Sequence, residues 1–145
     1  MGTVEPRTQM EALLTEGIQT ATHFLNKNRE FYPFAVALTP DGKVTHVSTW
    51  DGDDHPASND VLVLLRQALK QGVRSGAYRA VAIVSDLKIR SRPSDSPQDA
   101  VCVHIEHPDA APVACYLPYK FESGTIVPGE LSAERANPLV IEAMA

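Results

Sequence analysis

The sequence contains one group of residues with the chemistry of a cysteine-dependent enzyme. Cys102, His104 and Glu106 alternate along a stretch with the pattern of a β-strand, so their side chains share one face of it. A thiol nucleophile, a histidine base and a carboxylate that orients the histidine form a known catalytic arrangement. No glycine-rich turn precedes Cys102 to lower the pKa of its thiol. We therefore expect a polar sheet face here, with a small enzyme as the alternative.

A second group of candidates lies in an acidic loop that could hold a metal ion. It contains four potential ligands within five residues, namely Asp51, Asp53, Asp54 and His55. The spacing of a calcium-binding EF-hand fails, because Pro56 replaces the required glycine and Leu62 replaces the required glutamate. His104 and His107 point to opposite faces of a strand and cannot share a zinc ion. We expect no metal and no cofactor, and interpret the acidic residues as favouring the N-terminal end of a following helix.

Aromatic and charged residues near the strands are the candidates for binding. They are Asp86, Lys88, Tyr116, Tyr119 and Trp50. The first three have the same parity as Cys102, so we expect them on its face of the sheet. Tyrosines set among charges are typical of protein interfaces. The sequence thus predicts a non-enzymatic binding or protein-interaction module, with a symmetric homodimer as its simplest partner arrangement. The alternative is a small enzyme or ligand-binding domain that uses the Cys102 face or the acidic loop.

Length and charge limit the classes of protein to which the chain can belong. Its 145 residues, 43% of them apolar, are enough for one domain with one core. The net charge of −5, from 18 acidic against 13 basic residues, argues against nucleic acid and anionic membranes as partners. No apolar run approaches the roughly 18 to 20 residues of a membrane span, and the first residues contain no signal-peptide core. We expect a cytoplasmic protein.

The two cysteines can be placed by strand register. If the alternating apolar residues of two consecutive strands face the core, Val103 lies opposite Cys115 and Cys102 lies opposite Tyr116. Cys115 then points into the core and Cys102 points away from it. The two sulfur atoms cannot form a disulfide across the sheet, and two free thiols are typical of a reducing compartment.

The elements that must position these residues have the order α-β-β-α-β-β-β. This order predicts an α+β fold in which two helices pack on an antiparallel sheet of about five strands. The central strand is 80–90, whose first half is apolar on both faces and whose second half is apolar on one. The other predicted elements are a helix from 9 to about 27, a second helix that is capped by Ser58 or Asn59 and ends near Gln71, the hairpin strands 35–38 and 44–49, strands 100–107 and 113–121, and a possible short edge strand at 124–127.

Local signals set the boundaries of these elements. Thr8 and Glu11 have the spacing of a capping box, and Gly17 on the apolar stripe predicts close approach to a strand. The Thr39–Lys43 segment predicts a hairpin turn with a glycine bulge, with Val36 and Leu38 opposite His46 and Val44. Gly72 predicts the end of the second helix. We divide the chain into a loose arm at 1–8, one domain at 9–127, and a surface-wrapping or flexible tail at 128–145.

Three short motifs resemble known proteins. Phe31-Tyr-Pro-Phe-Ala35, Asp41-Gly42 and Tyr116-Leu-Pro-Tyr119, at these separations, are similar to a widespread group of small bacterial proteins of unknown function. The resemblance covers roughly residues 10 to 121 and implies a bacterial source. The order of helices and strands is also similar to that of profilin-like folds such as the roadblock and longin domains. Neither likeness implies an activity, because one fold carries many functions.

Overall fold

An open antiparallel sheet forms the middle layer of the protein, with one helix on each face. A computed structural model describes residues 5–48, 58–90, 92 and 94–141. Its elements are α1 (Pro6–Asn28), β1 (Phe34–Leu38), β2 (Val44–Val47), α2 (Ser58–Arg74), β3 (Ala80–Ile89), β4 (Gln98–His107), β5 (Ala110–Glu122), β6 (Thr125–Pro128) and β7 (Ser132–Arg135). The strand order across the sheet is β2-β1-β3-β4-β5-β6, and β7 also pairs with β5.

The predicted α+β class with two helices and an antiparallel sheet is confirmed, but the predicted number of strands is wrong. The described part of the chain contains seven strands rather than about five. The additional pairing is possible because β5 is 13 residues long. Its first half pairs with β7 and its second half with β6. All four residues of β7 are exposed, so this strand lacks the apolar alternation by which a strand is recognised.

Helix α1 covers one face of the sheet and packs on the strand residues of the larger core cluster. It begins at Pro6 rather than after Thr8, because proline suits the first position of a helix, where its missing N–H costs nothing. The predicted close approach of Gly17 is confirmed: a Cβ there would lie 3.0 Å from Cγ2 of Val84. The buried stripe of α1 packs on alternate residues of β1, β3, β4 and β5, including Val36, Val84 and Val103.

The hairpin of β1 and β2 has the predicted register. Val36 lies opposite His46 and Leu38 lies opposite Val44. Gly42, at the predicted bulge position, has a φ of 89°, a conformation that glycine adopts without strain. Strand β1 also pairs with β3 on its other side, so all five of its residues are buried.

Helix α2 continues past the residue at which the sequence predicts its end. Gly72 lies inside the helix, where its missing side chain makes room for the ring of Tyr78. The helix instead ends at Arg74, and Gly76 follows with a φ of 82°. The N–H of Ala77 donates to the carbonyl of Gly72 and that of Gly76 to the carbonyl of Val73, which is the Schellman pattern of helix termination.

The prediction that Asp86 and Lys88 share a face of the sheet with Cys102 is wrong, as the pairing of β3 with β4 shows. Ser85 is the residue opposite Cys102, and Asp86 lies opposite Val101 on the α1 face. The parity of residues can be compared within one strand, but the length of the connection between two strands sets their relative register. The connection between Ile89 and Gln98 shifts this register by one residue from the predicted one.

Candidate functional site

A cavity of about 870 Å³ opens on the α2 face of the sheet. Its floor is formed by side chains of β3, β4 and β5, namely Ile83, Ser85, Cys102, His104, Ala114 and Tyr116. One wall is α2, through Asn59, Leu62, Val63 and Arg66, and the opposite wall is the segment Glu134–Asn137 together with Leu139. The cavity is therefore built from residues that lie far apart in the sequence.

The cavity exists because α2 covers only part of its face. This helix packs mainly on β1 and β3, whereas α1 on the opposite face reaches β4, β5 and β6 as well. The floor residues share a face through the register, which places Ile83 opposite His104 and Cys102 opposite Tyr116. Ala114 has a small side chain opposite His104, which leaves space above the floor.

The structure brings Cys102, His104 and Glu106 onto one face, as the sequence predicts. Cys102 is nevertheless buried, with 8% of its surface exposed. Burial, more than the charge of the neighbouring Cys115, raises the pKa of Cys102 to about 11. A nucleophilic cysteine requires the opposite shift, because the thiolate is the reactive form.

Glu106 is fully buried, and protein groups occupy both of its carboxylate oxygens. His104 Nε2 donates to Oε2 at 2.7 Å. The backbone N–H groups of three consecutive residues, Leu139, Val140 and Ile141, donate to the same carboxylate at 2.8 to 3.1 Å. Burial alone would raise the pKa of Glu106, but these hydrogen bonds together lower it. Glu106 therefore anchors the segment 139–141, and its oxygens are already committed to this contact.

Arg66 is the residue of the cavity wall whose hydrogen bonding is incomplete. Its Nε is buried and has no hydrogen-bond acceptor among the residues that the structure describes. Within the described residues, Arg66 also forms no ion pair, although Glu134 lines the same cavity. Buried polar atoms in native proteins are nearly always paired, so an unpaired guanidinium nitrogen indicates a position where a further group can bind.

Tyr116 and Glu134 form the polar contact on the far side of the cavity. The hydroxyl of Tyr116 donates to Oε1 of Glu134 at 3.1 Å. Burial, and then this hydrogen bond, raise the pKa of Tyr116 to about 12, so the phenol is protonated at neutral pH. Because Glu134 accepts this bond, its position is fixed on the β7 side of the cavity.

Three of the other predicted binding residues, Asp86, Lys88 and Tyr119, lie away from the cavity. Tyr119 is buried on the α1 face, and its hydroxyl donates to Asp86 Oδ1 at 2.7 Å. Burial raises the pKa of this Asp86 carboxyl. Lys88 forms an exposed ion pair with Asp99 at 3.0 Å. The remaining predicted residues, Trp50 and the possible metal ligands Asp51, Asp53, Asp54 and His55, are outside the described residues.

Sequence reasoning missed Arg66 and Glu134 as cavity residues. A signal for Arg66 was present: it follows Leu62 by four residues, so the helical period places it on the same side of α2 as an inward-facing leucine. No comparable signal existed for Glu134, because β7 has no apolar pattern.

Three further observations concern the class of protein. Within the described ranges, no group of three or more His, Cys, Asp or Glu side chains is arranged to hold a metal ion. Neither of the two described helices is both long enough and apolar enough to cross a lipid bilayer. Comparison of the chain with protein families, with curated proteins and with solved structures finds no match. The resemblances noted from the sequence therefore stay predictions.

Proposed function

We propose that this protein binds a small organic ligand in the cavity on the α2 face of its sheet. The observation that carries the proposal is the cavity itself. Its volume of about 870 Å³ falls in the range of about 300 to 1,000 Å³ that is typical of ligand pockets. Its lining combines apolar side chains, such as Ile83 and Leu62, with a few polar groups, which is the usual composition of such pockets.

Binding without catalysis agrees better with the floor of the cavity than a cysteine mechanism does. The thiol of Cys102 has a raised pKa and stays protonated at neutral pH. Glu106 accepts a hydrogen bond from His104 and so orients its imidazole, but the thiol that such a base would activate is buried. No residue on this floor therefore supplies an activated nucleophile.

Homodimer formation, predicted from the sequence, stays a prediction. Tyr116, one of the residues predicted for binding, lines the cavity and donates to Glu134. A charged substitution at Tyr116 would therefore disturb the cavity and cannot isolate a dimer contact. Sedimentation of the unmodified protein across a concentration series is the suitable measurement of self-association.

Filling the cavity tests the proposal. A general fragment library is screened by NMR, and the hits are located by amide chemical-shift changes. We expect the hits to shift the amides of the floor strands around Cys102 and Ala114. The variant Ala114→Phe places a ring in the space above the floor and should weaken binding of these fragments by at least about tenfold, the effect of about 1.4 kcal/mol of lost contact.

The matched control is Ala133→Phe. Ala133 lies on β7 opposite Cys115, so its side chain is on the other face of the sheet, and it is exposed. This variant should bind the fragments as the unmodified protein does. A screen whose hits lie elsewhere, or Ala114→Phe binding that equals that of the control, contradicts the proposal.

A further inference from the structure

We infer that the ligand of this cavity carries an anionic oxygen group, such as a carboxylate or a phosphate ester, which binds Arg66. This inference rests on the proposed function and names the chemical class of the ligand. It follows from the unpaired guanidinium nitrogen in the cavity wall. Arginine is suited to this role, because its planar fork of N–H donors matches the oxygens of carboxylates and phosphates.

Among the described residues around Arg66, none forms an ion pair that compensates its positive charge. Glu106 is the fully buried acid of this face, but its oxygens accept hydrogen bonds from His104 and from the backbone of 139–141. Glu134 accepts from Tyr116 and forms no ion pair with Arg66. A ligand anion on the α2 side of the cavity would satisfy Arg66 while remaining separate from the Glu134 carboxylate.

The rest of the cavity indicates that the anion belongs to a partly apolar molecule. Leu62 and Ile83 line it from the helix and from the floor, and Ala114 adds a small apolar side chain. An inorganic ion would bury no apolar surface, whereas an organic anion also buries apolar surface against these residues. The expected ligand is therefore an amphipathic anion, with its charged end at Arg66 and its body over the floor.

Two fluorescent probes that differ by one charged group provide the test. The anionic probe is 1-anilinonaphthalene-8-sulfonate, and the neutral probe is N-phenyl-1-naphthylamine, which has the same rings without the sulfonate. Both are titrated against the folded protein, with Ala114→Phe as the variant that fills the cavity. We expect the unmodified protein to bind the anionic probe at least about tenfold more tightly, because a hydrogen bond to a charged group is worth about 1.5 to 3 kcal/mol.

Substitution of Arg66 assigns this preference to one residue. Arg66→Met keeps the length of the side chain and removes the charge, and should abolish the preference without weakening the neutral probe. Arg66→Lys keeps the positive charge without the planar fork of N–H donors, and should retain only part of the preference for the anionic probe. Arg74→Met, in the exposed last turn of the same helix, is the matched control and should bind as the unmodified protein does. Circular dichroism of each variant establishes that it is folded.

The outcomes separate this inference from the proposed function. If both probes bind equally, depend on Ala114, and are unaffected by Arg66→Met, the cavity binds ligands but the anionic class is wrong. If neither probe depends on Ala114, the proposed function fails together with the inference. A preference that Arg74→Met removes to the same extent as Arg66→Met would assign it to the surface charge of the helix and overturn the role of Arg66.

Discussion

Helix α1 packs across β1 to β6 on one face of the sheet, whereas α2 on the other face packs mainly on β1 and β3. Both faces belong to the same strands, because successive side chains along each strand point to opposite faces of the sheet. The α1 face presents apolar residues such as Val84, Val103 and Leu117. The α2 face of the same strands presents Ser85, Cys102 and Tyr116.

The comparison shows how one sheet can carry an apolar core on one face and a cavity on the other. Apolar side chains occur where a helix covers the strands completely, because their burial is the main favourable term in folding. Polar side chains occur where the covering helix ends, and there the sheet forms the floor of a cavity. Truncation of an apolar side chain on the α1 face should therefore cost more stability than truncation of one beside the cavity.

The largest effect is expected from truncation of the α1 face. Leu25 is fully buried, and Leu25→Ala should lower the free energy of unfolding by about 2 to 5 kcal/mol, since a buried leucine loses its packing and leaves a cavity. The comparison variant is Leu62→Ala, whose side chain already borders open space on α2. Leu62→Ala should lower the free energy of unfolding by clearly less than Leu25→Ala does. Urea unfolding measures both, and equal losses would contradict the distinction between the faces.

A smaller effect concerns the pH dependence of stability. The folded-state pKa of Glu106 is lowered from its ordinary value of 4.5. The stability that this carboxylate contributes is therefore present above about pH 4.5 and is lost as the pH falls through the lower folded-state value. Glu106→Gln removes this contribution. The variant should be less stable at about pH 6, and its further loss of stability on acidification to about pH 3 should be smaller than that of the unmodified protein.

Asp86 on the α1 face provides the control of opposite sign. Its folded-state pKa is raised from the ordinary value of 3.8, chiefly by burial. Its contribution to stability is therefore present below about pH 3.8 and is lost as the pH rises through the folded-state value. Asp86→Asn should make the loss on acidification larger, whereas Glu106→Gln makes it smaller. Chemical unfolding at several pH values measures both, and shifts of the same sign would show that one of the two assignments is wrong.

The smallest effect is expected in thiol reactivity. Cys102 and Cys115 are both buried and free, and burial raises the pKa of each thiol. We expect slow alkylation of both in the folded protein at neutral pH, and rapid alkylation in denaturant. In Glu106→Gln, the weakened anchor of 139–141 should expose the α2 face and accelerate labelling of Cys102 alone. Mass spectrometry of the labelled peptides distinguishes the two sites, and equal acceleration at Cys115 would indicate global unfolding instead.

The sequence predicted the parts of the fold that depend on local pattern. The hairpin register followed from the turn at Asp41-Gly42, and the pairing of Val103 with Cys115 followed from alternation across a short turn. The relative register of β3 and β4 could not be predicted, because their connection has no turn signature of fixed length. For this reason Asp86 was placed on the wrong face of the sheet.

The candidate site was predictable only in part. Strand alternation placed Cys102, His104 and Tyr116 on a common face, and these residues form the floor of the cavity. The walls could not be predicted, because they depend on where α2 crosses the sheet and on a wholly exposed strand, β7. The role of Glu106 was also hidden, since its partners are backbone N–H groups, which every non-proline residue of a sequence provides equally.

The anchor at Glu106 also affects the order in which the two faces of the sheet can be completed during synthesis. Its three amide partners follow it by 33 to 35 positions, so the ribosome adds them well after β4 has been synthesised. Until they emerge, a nascent chain that has already paired β3 with β4 holds a carboxylate on a sheet face without its final donors. The α1 face can be completed earlier, because β6, the last strand that α1 covers, ends at Pro128. During translation, the apolar layer can therefore assemble first, and the cavity is completed only when residues 139–141 arrive.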